Sequence, residues 1–155
     1  TTGTICEEHH PARNHPGGHR YIADKILEAL PDATFPYTDI SASDFDYVAV
    51  SKMYQHGIMS GTSETTFSPD DALTEKALYE AVSKISGTDK ASDSDKAVSK
   101  FAFAKELMGI EAEDFLGKIK TFIFAIRYLL SGGFNFTATV TRREAAKTFT
   151  DFMNL

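Results

Sequence analysis

The sequence predicts a mostly α fold, a helical bundle with at most very short strands. Apolar residues recur with a 3.6-residue period in several separate segments. Hydroxyl residues able to cap a helix precede some of these segments, glycine or proline ends most of them, and the connection from Ser86 to Asp95 is too polar for a strand.

The elements follow in order. Residues 1 to about 18 form a polar opening rich in His, Pro and Gly, and from His19 a helical pattern runs through Tyr21, Ile22, Ile26, Leu27 and Leu30 until Pro31 stops it. Pro31 to Asp39 reads as the main linker. Ser43 is positioned to cap a helix whose face carries Tyr47, Val50 and Tyr54, with Asp46 in its first turn and Gly57 at its end. Residues 57–71 read as a turn-rich loop. Thr74 then starts a helix with Leu78, Ala81, Val82 and Ile85 inward, ended by Ser86-Gly87. Ala97, Phe101, Ala104 and Met108 make the next stripe. Phe115, Ile119, Phe122, Ile123, Ile126 and Leu130 give the strongest apolar periodicity and are expected to form the most buried helix, ended by Gly132-Gly133. The last helix runs from Thr141 with Ala145, Phe149, Phe152 and Met153 inward.

The chain has 155 residues, enough for one domain with its own core. Its lone cysteine, Cys6, excludes an internal disulfide framework. Lys and Arg number 16 against 22 Asp and Glu, and the net charge of -6 removes the general driving force toward nucleic acid or an anionic membrane surface. Any polyanion must therefore be bound locally. No apolar run reaches the roughly 18–20 residues of a membrane span, so no membrane insertion is expected. The N-terminus lacks the basic and apolar regions of a signal peptide, which fits a mature protein or a fragment whose targeting signal lies elsewhere.

Two stretches repeat a local pattern of an aliphatic residue, a threonine and an amphipathic helix: Leu73-Thr74-Glu75-Lys76-Ala77 and Val140-Thr141-Arg142-Arg143-Glu144. The first unit also carries Tyr37-Thr38-Asp39-Ile40, Ala49-Val50, Gly57-Ile58-Met59-Ser60-Gly61 and Phe67-Ser68-Pro69. It resembles the S-layer homology (SLH) repeat, with its F-x-D-hydrophobic opening, its G-I-I-x-G and F-x-P loop and its T-R-A-E helix start. The second unit is divergent: it keeps Ala125-Ile126, Gly132-Gly133 and T-R-x-E, but its loop is shortened, with 9 residues from Gly132 to Thr141 against 17 from Gly57 to Thr74. The resulting division is 1–34 as the end of an upstream domain plus linker, 35–87 as a first SLH-like repeat and 88–155 as a divergent second. The resemblance implies a bundle of helix-loop-helix repeats, usually three in a pseudo-threefold arrangement. It further implies attachment of exported proteins to an acidic cell-wall polysaccharide at the bacterial surface. Only two repeats are apparent, so a third is expected from the same parent, from another chain, or not at all.

Thr141 and Glu144 have capping-box spacing, which accounts for both structurally. Arg142 and Arg143 then stand in the first turn, at the positive end of the helix dipole, where an anion would offset them. The resemblance places a ligand-contacting arginine at Arg142, and Thr141, Arg142, Arg143 and Glu144 are the candidate ligand-binding residues. The competing reading is a capped helix with solvated arginines. Glu75 holds the position of Arg142 in the first unit and would repel an acidic glycan.

The segment Cys6-Glu7-Glu8-His9-His10-Pro11 through His15-Pro16-Gly17-Gly18-His19 resembles the last conserved block of SGNH (GDSL-type) hydrolases. There a histidine serves as general base for a serine nucleophile and an acid orients it. Glu7 and His10 would take these roles, with His15 competing. No Gly-Asp-Ser block occurs in the chain, so no turnover is expected from the chain alone. The four histidines and two glutamates of this segment are interrupted by Pro and Gly and do not share a helical face, so neither a metal nor another cofactor is expected. Cys6 reads as a packing residue and His56 as a helix C-terminal partner. The leading expectation is a noncatalytic wall-glycan anchor on the cell surface. The alternative is the C-terminal part of a serine esterase whose nucleophile lies outside this chain.

Overall fold

The computed structural model describes residues 35–110 and 115–154. They form five helices: α1 (Tyr47–Gln55), α2 (Glu75–Ser86), α3 (Lys100–Met108), α4 (Phe115–Leu130) and α5 (Arg142–Met153). The expected helix from His19 to Leu30 lies outside the described residues, as do Cys6, Glu7, His10 and His15. The mostly α expectation holds, and the extended pairing among the described residues consists of isolated bridges: Ala72 with Thr141, Thr74 with Ala97 and Ser99 with Thr139.

These bridges define the architecture. Leu73 N–H donates to the Val140 carbonyl (2.8 Å), Val98 N–H to the Leu73 carbonyl (2.9 Å) and Val140 N–H to the Val98 carbonyl (2.9 Å), which closes a three-membered backbone ring. Each ring residue is fully or almost fully buried and stands one step before a hydroxyl cap. Thr74 accepts from Ala77 N–H, Ser99 from Ala102 N–H and Thr141 from Glu144 N–H, and so satisfies one otherwise orphaned amide of α2, α3 and α5. The first two amides of each helix are met by the chain entering the next junction. In α2, Glu75 and Lys76 donate to Lys96 and Ser94; in α3, Lys100 and Phe101 to Ala138 and Phe136; in α5, Arg142 and Arg143 to Asp71 and Pro69. The ring thus has threefold backbone symmetry.

The sequence comparison found two of the three junctions. The third, Val98-Ser99-Lys100, escaped because serine replaces threonine and no helix of its own stands between α2 and the junction. Where a first helix would stand in that unit, residues 87–97 run without a helix beside α2, tied to it by Lys90 N–H to Ser83 Oγ (2.9 Å) and Ser83 Oγ to the Lys90 carbonyl (2.5 Å), and to α3 by a Lys90–Glu106 ion pair.

The core collects Val50 and Met53 of α1, Leu78, Ala81 and Val82 of α2, Phe103 and Leu107 of α3, Phe149 and Phe152 of α5, and the loop residues Ile58 and Phe67. α1 packs on α5 and α3 on α4, so the last helix closes against the first. α1 begins later than Ser43 suggests: residues 42–46 make turns, and Asp46 is the N-cap residue without a side-chain cap bond.

Two helices present faces other than those expected. In α3 the buried residues are Phe103, Ala104 and Leu107, while Phe101 and Met108 face outward. The larger correction concerns α4, expected to be the most buried helix. It turns Gly117, Thr121, Ala125 and Tyr128 inward and leaves Leu116, Ile119, Phe122, Ile123 and Leu130 exposed, with Ile123 52 % accessible. Small residues let the α4 backbone approach its neighbours closely, and the larger apolar side chains fall on the opposite side.

Candidate functional site

The site grows from the loop after α1. Gly57 adopts φ +63, and beyond it the Ile58 and Met59 amides both donate to the Met53 carbonyl, closing the end of the helix and burying Ile58. Gly61 has no room for a side chain: a Cβ there would lie 2.4 Å from the Thr66 carbonyl oxygen, 2.5 Å from Tyr37 Cε1 and 2.6 Å from the Ser63 carbonyl oxygen. Its N–H donates to the Tyr37 hydroxyl (2.6 Å). Asp39 accepts from Phe67 N–H (2.9 Å) and Ser68 N–H (2.7 Å), and Ser68 itself adopts φ +57. Desolvation alone would raise the Asp39 carboxyl, but these amides and the Arg142 charge outweigh it and hold the group below its ordinary value. The Tyr-x-Asp opening of the unit therefore exists to fold the 61–68 loop.

Arg142 reaches this loop from the far end of the chain. Its Nε donates to the Phe67 carbonyl (2.8 Å) and its Nη2 to the Ser60 carbonyl (2.5 Å), and the guanidinium lies 4.7 Å from the centre of the Phe67 ring. Only 7 % of the residue is accessible, and burial lowers its pKa against the raising influence of Tyr37, Asp71 and Asp39. Two N–H groups are spent on carbonyls. Arg142 also lines a groove of about 110 Å³ walled by Ile58–Gly61, Thr74, Lys76, Ala77 and Glu80. Arg142 and Lys76 bring two positive charges to this groove against one negative charge from Glu80.

Arg143 points elsewhere. Its Nε stands 3.2 Å from both Asp46 and Asp70, and its guanidinium 5.4 Å from the centre of the exposed Phe45 ring. The contact to buried Asp46 misses hydrogen-bond geometry, so its attraction is Coulombic. Arg142 is buried, and Arg143, about a quarter exposed, is paired with acids. The chain's own acids and carbonyls offset the two cations at the start of α5, and its first three amides are already bonded. An anion therefore finds no free amides there.

The capping box forms by half. Thr141 Oγ1 accepts from Glu144 N–H (3.2 Å), but the Glu144 carboxylate accepts from the Tyr128 hydroxyl (3.0 Å) instead of returning to Thr141. Burial and the adjacent carboxylate push the Tyr128 phenol far above its ordinary value. Thr141 and Glu144 thus hold α5 in place, while Arg142 alone of the four candidate residues lines the groove.

Sequence reasoning missed the counterpart of Arg142 at the middle junction. Lys100 occupies the same helical position and donates to the Ser131 carbonyl beyond α4, with its ammonium 5.2 Å from the centre of the Tyr128 ring. The signal was present as an aliphatic residue, a hydroxyl residue, a cation and an alanine three positions after the cap. It also missed Ser60, whose carbonyl receives Arg142. Among the described residues no three His, Cys, Asp or Glu side chains gather as a metal site, and no helix is long and apolar enough to cross a membrane.

No curated protein and no solved structure matches the chain. Residues 36–76 match the family model of the S-layer homology domain. The matched segment contains Tyr37, Asp39, Ser60, Gly61, Phe67 and the Thr74 cap, so it covers the loop that Arg142 grips but not Arg142 itself. The segment resembling a hydrolase and the divergent unit from residue 88 onward lie outside it. The similarity to the S-layer homology domain, a cell-wall anchoring module, therefore extends over residues 36–76.

Proposed function

We propose that the chain is a noncatalytic module that holds an exported protein to a cell-wall polysaccharide bearing acidic groups, and that the groove beside Arg142 receives the acidic group. The observation that carries this reading is the fixed guanidinium. Arg142 is clamped by two backbone carbonyls of the matched segment and still lines the groove, with Lys76 nearby. A clamped fork loses little freedom when it binds a carboxylate, and in a half-enclosed groove a charge-assisted hydrogen bond is stronger than in open water. The small volume suits one acidic substituent of a sugar, with the rest of the glycan along the outer wall. Glu80 disfavours a densely charged polyanion, in keeping with a chain of net charge -6. The division into a first unit at 35–87 and a divergent remainder at 88–155 belongs to the same proposal, with the Ser99 junction supplying the third side of the ring.

Peptidoglycan sacculi that retain their acidic polymer should retain the protein, and sacculi stripped of it should not. Lys76→Gln, which leaves the ring intact, should weaken retention. Equal retention on both preparations would end the proposal.

A further inference from the structure

The exposed face of α4 has a composition unlike the rest of the chain. Its accessible residues are Leu116, Ile119, Phe122, Ile123 and Leu130 together with Lys118, Lys120 and Arg127, and the helix carries no acidic residue. Leu116, Ile119, Ile123 and Leu130 share one helical side. Phe122 widens the stripe, while Lys120 and Arg127 flank one edge and Lys118 the other. Phe134, just beyond the helix, is 83 % accessible. The exposed apolar side chains amount to on the order of 500 Å², at the upper end of what monomeric surfaces show without a partner.

We infer that this face adsorbs to a bilayer containing anionic phospholipid headgroups, with α4 lying in the interface. A greasy stripe edged by cations is the pattern of interfacial helices, and the charge selects the occupant. A second copy of the chain would bring the same three cations against these three, which opposes self-association on this face. An anionic bilayer accepts the stripe and the cations together. The helix is roughly 24 Å long, short of the roughly 30 Å hydrocarbon thickness, so it lies on the membrane and does not span it. The net charge of -6 does not forbid this, because screening over about 10 Å at 0.1 M salt leaves the local patch dominant. The inward side of α4 is held independently: Tyr128 bonds Glu144, and Phe124 packs 5.5 Å from Phe152 between ring centres. Among the described residues nothing else holds the outward side, so it can bind without unfolding the bundle.

The test is cosedimentation of the full 155-residue chain with vesicles of phosphatidylcholine alone and of phosphatidylcholine mixed with an equal amount of phosphatidylglycerol. Binding to the mixed vesicles alone is expected, with about a fivefold loss for each of Lys118→Gln and Lys120→Gln. Phe122→Ser combined with Ile123→Ser should abolish it while far-ultraviolet circular dichroism shows the helices intact. Retention on wall sacculi should be unchanged in all these variants, which separates this site from the groove. Binding to neither vesicle, equal binding to both, or indifference to the substitutions would overturn the inference. So would a concentration-dependent dimer that the Phe122/Ile123 variant dissolves in the absence of vesicle binding, since that outcome assigns the face to a second copy.

Discussion

Replacing Arg142 tests how the first and last units are joined. Arg142→Ala deletes two charge-assisted hydrogen bonds, to Phe67 at 2.8 Å and Ser60 at 2.5 Å, and leaves both carbonyls without that donor. Each such bond is worth about 1.5–3 kcal/mol, and the contact with the Phe67 ring adds up to about 1 kcal/mol. The bonds share one side chain and are not additive, and relief from burying a guanidinium offsets part of the loss, so we expect about 3–4 kcal/mol of destabilisation in total. Arg142→Lys keeps the charge but supplies a point donor in place of a planar fork, and should cost about half as much. Urea denaturation followed by circular dichroism, with the slope on urea concentration checked for constancy, measures both. A loss below about 0.5 kcal/mol for Arg142→Ala would place it among ordinary surface substitutions and refute the clamp.

The remaining predictions concern the fold around it. Ile123→Asp, at an outward position, should cost only about 1 kcal/mol, while Ala125→Leu, at a fully buried one, should cost about 1–3 kcal/mol by overpacking; the reverse order in urea denaturation would invert the face assigned to α4. Gly61→Ala forces a methyl onto two backbone oxygens and should destabilise by about 1–3 kcal/mol and weaken sacculus retention, whereas a wild-type melting curve would contradict the loop geometry. Asp39, held below its ordinary value in the folded state, contributes stability above pH about 4 that is lost as pH falls through the folded value. Asp39→Asn should therefore lower stability at pH 7 and flatten its decline between about pH 5 and pH 2, as read by melting temperatures across that range; parallel curves for the two proteins would exclude the assignment.

The parts of the fold that could be read from sequence are those whose signals are local. Thr74 and Thr141 announce helix starts because a cap is decided within three residues, and Gly87 ends α2 at φ +68 for an equally local reason. The face of α4 could not be read by hydropathy. The outer stripe is more apolar than the inner one, and close helix packing selected Gly117, Thr121 and Ala125, which a hydropathy pattern passes over. The Ser99 junction was hidden because no helix stands between α2 and it, although its Val98 amide and carbonyl complete the ring. Of the site, the position of Arg142 could be read from the repeat, but its partners lie 75 and 82 residues away and no local pattern connects them. The sequence likewise suggested solvated arginines or a waiting anion at the start of α5, because Asp46 and Asp70 come from distant turns.

The claim at the centre of this account is that the groove between the 58–61 loop, the start of α2 and Arg142 receives an acidic wall glycan. Amide chemical-shift mapping of the isotope-labelled chain titrated with polymer released from sacculi examines it directly. The account predicts saturable shifts concentrated at Ser60, Gly61, Lys76 and Ala77 and at the Arg142 side chain, absent when the acidic substituents have been removed from the polymer. Shifts centred elsewhere on the bundle, or the same shifts with the neutral polymer, would contradict it.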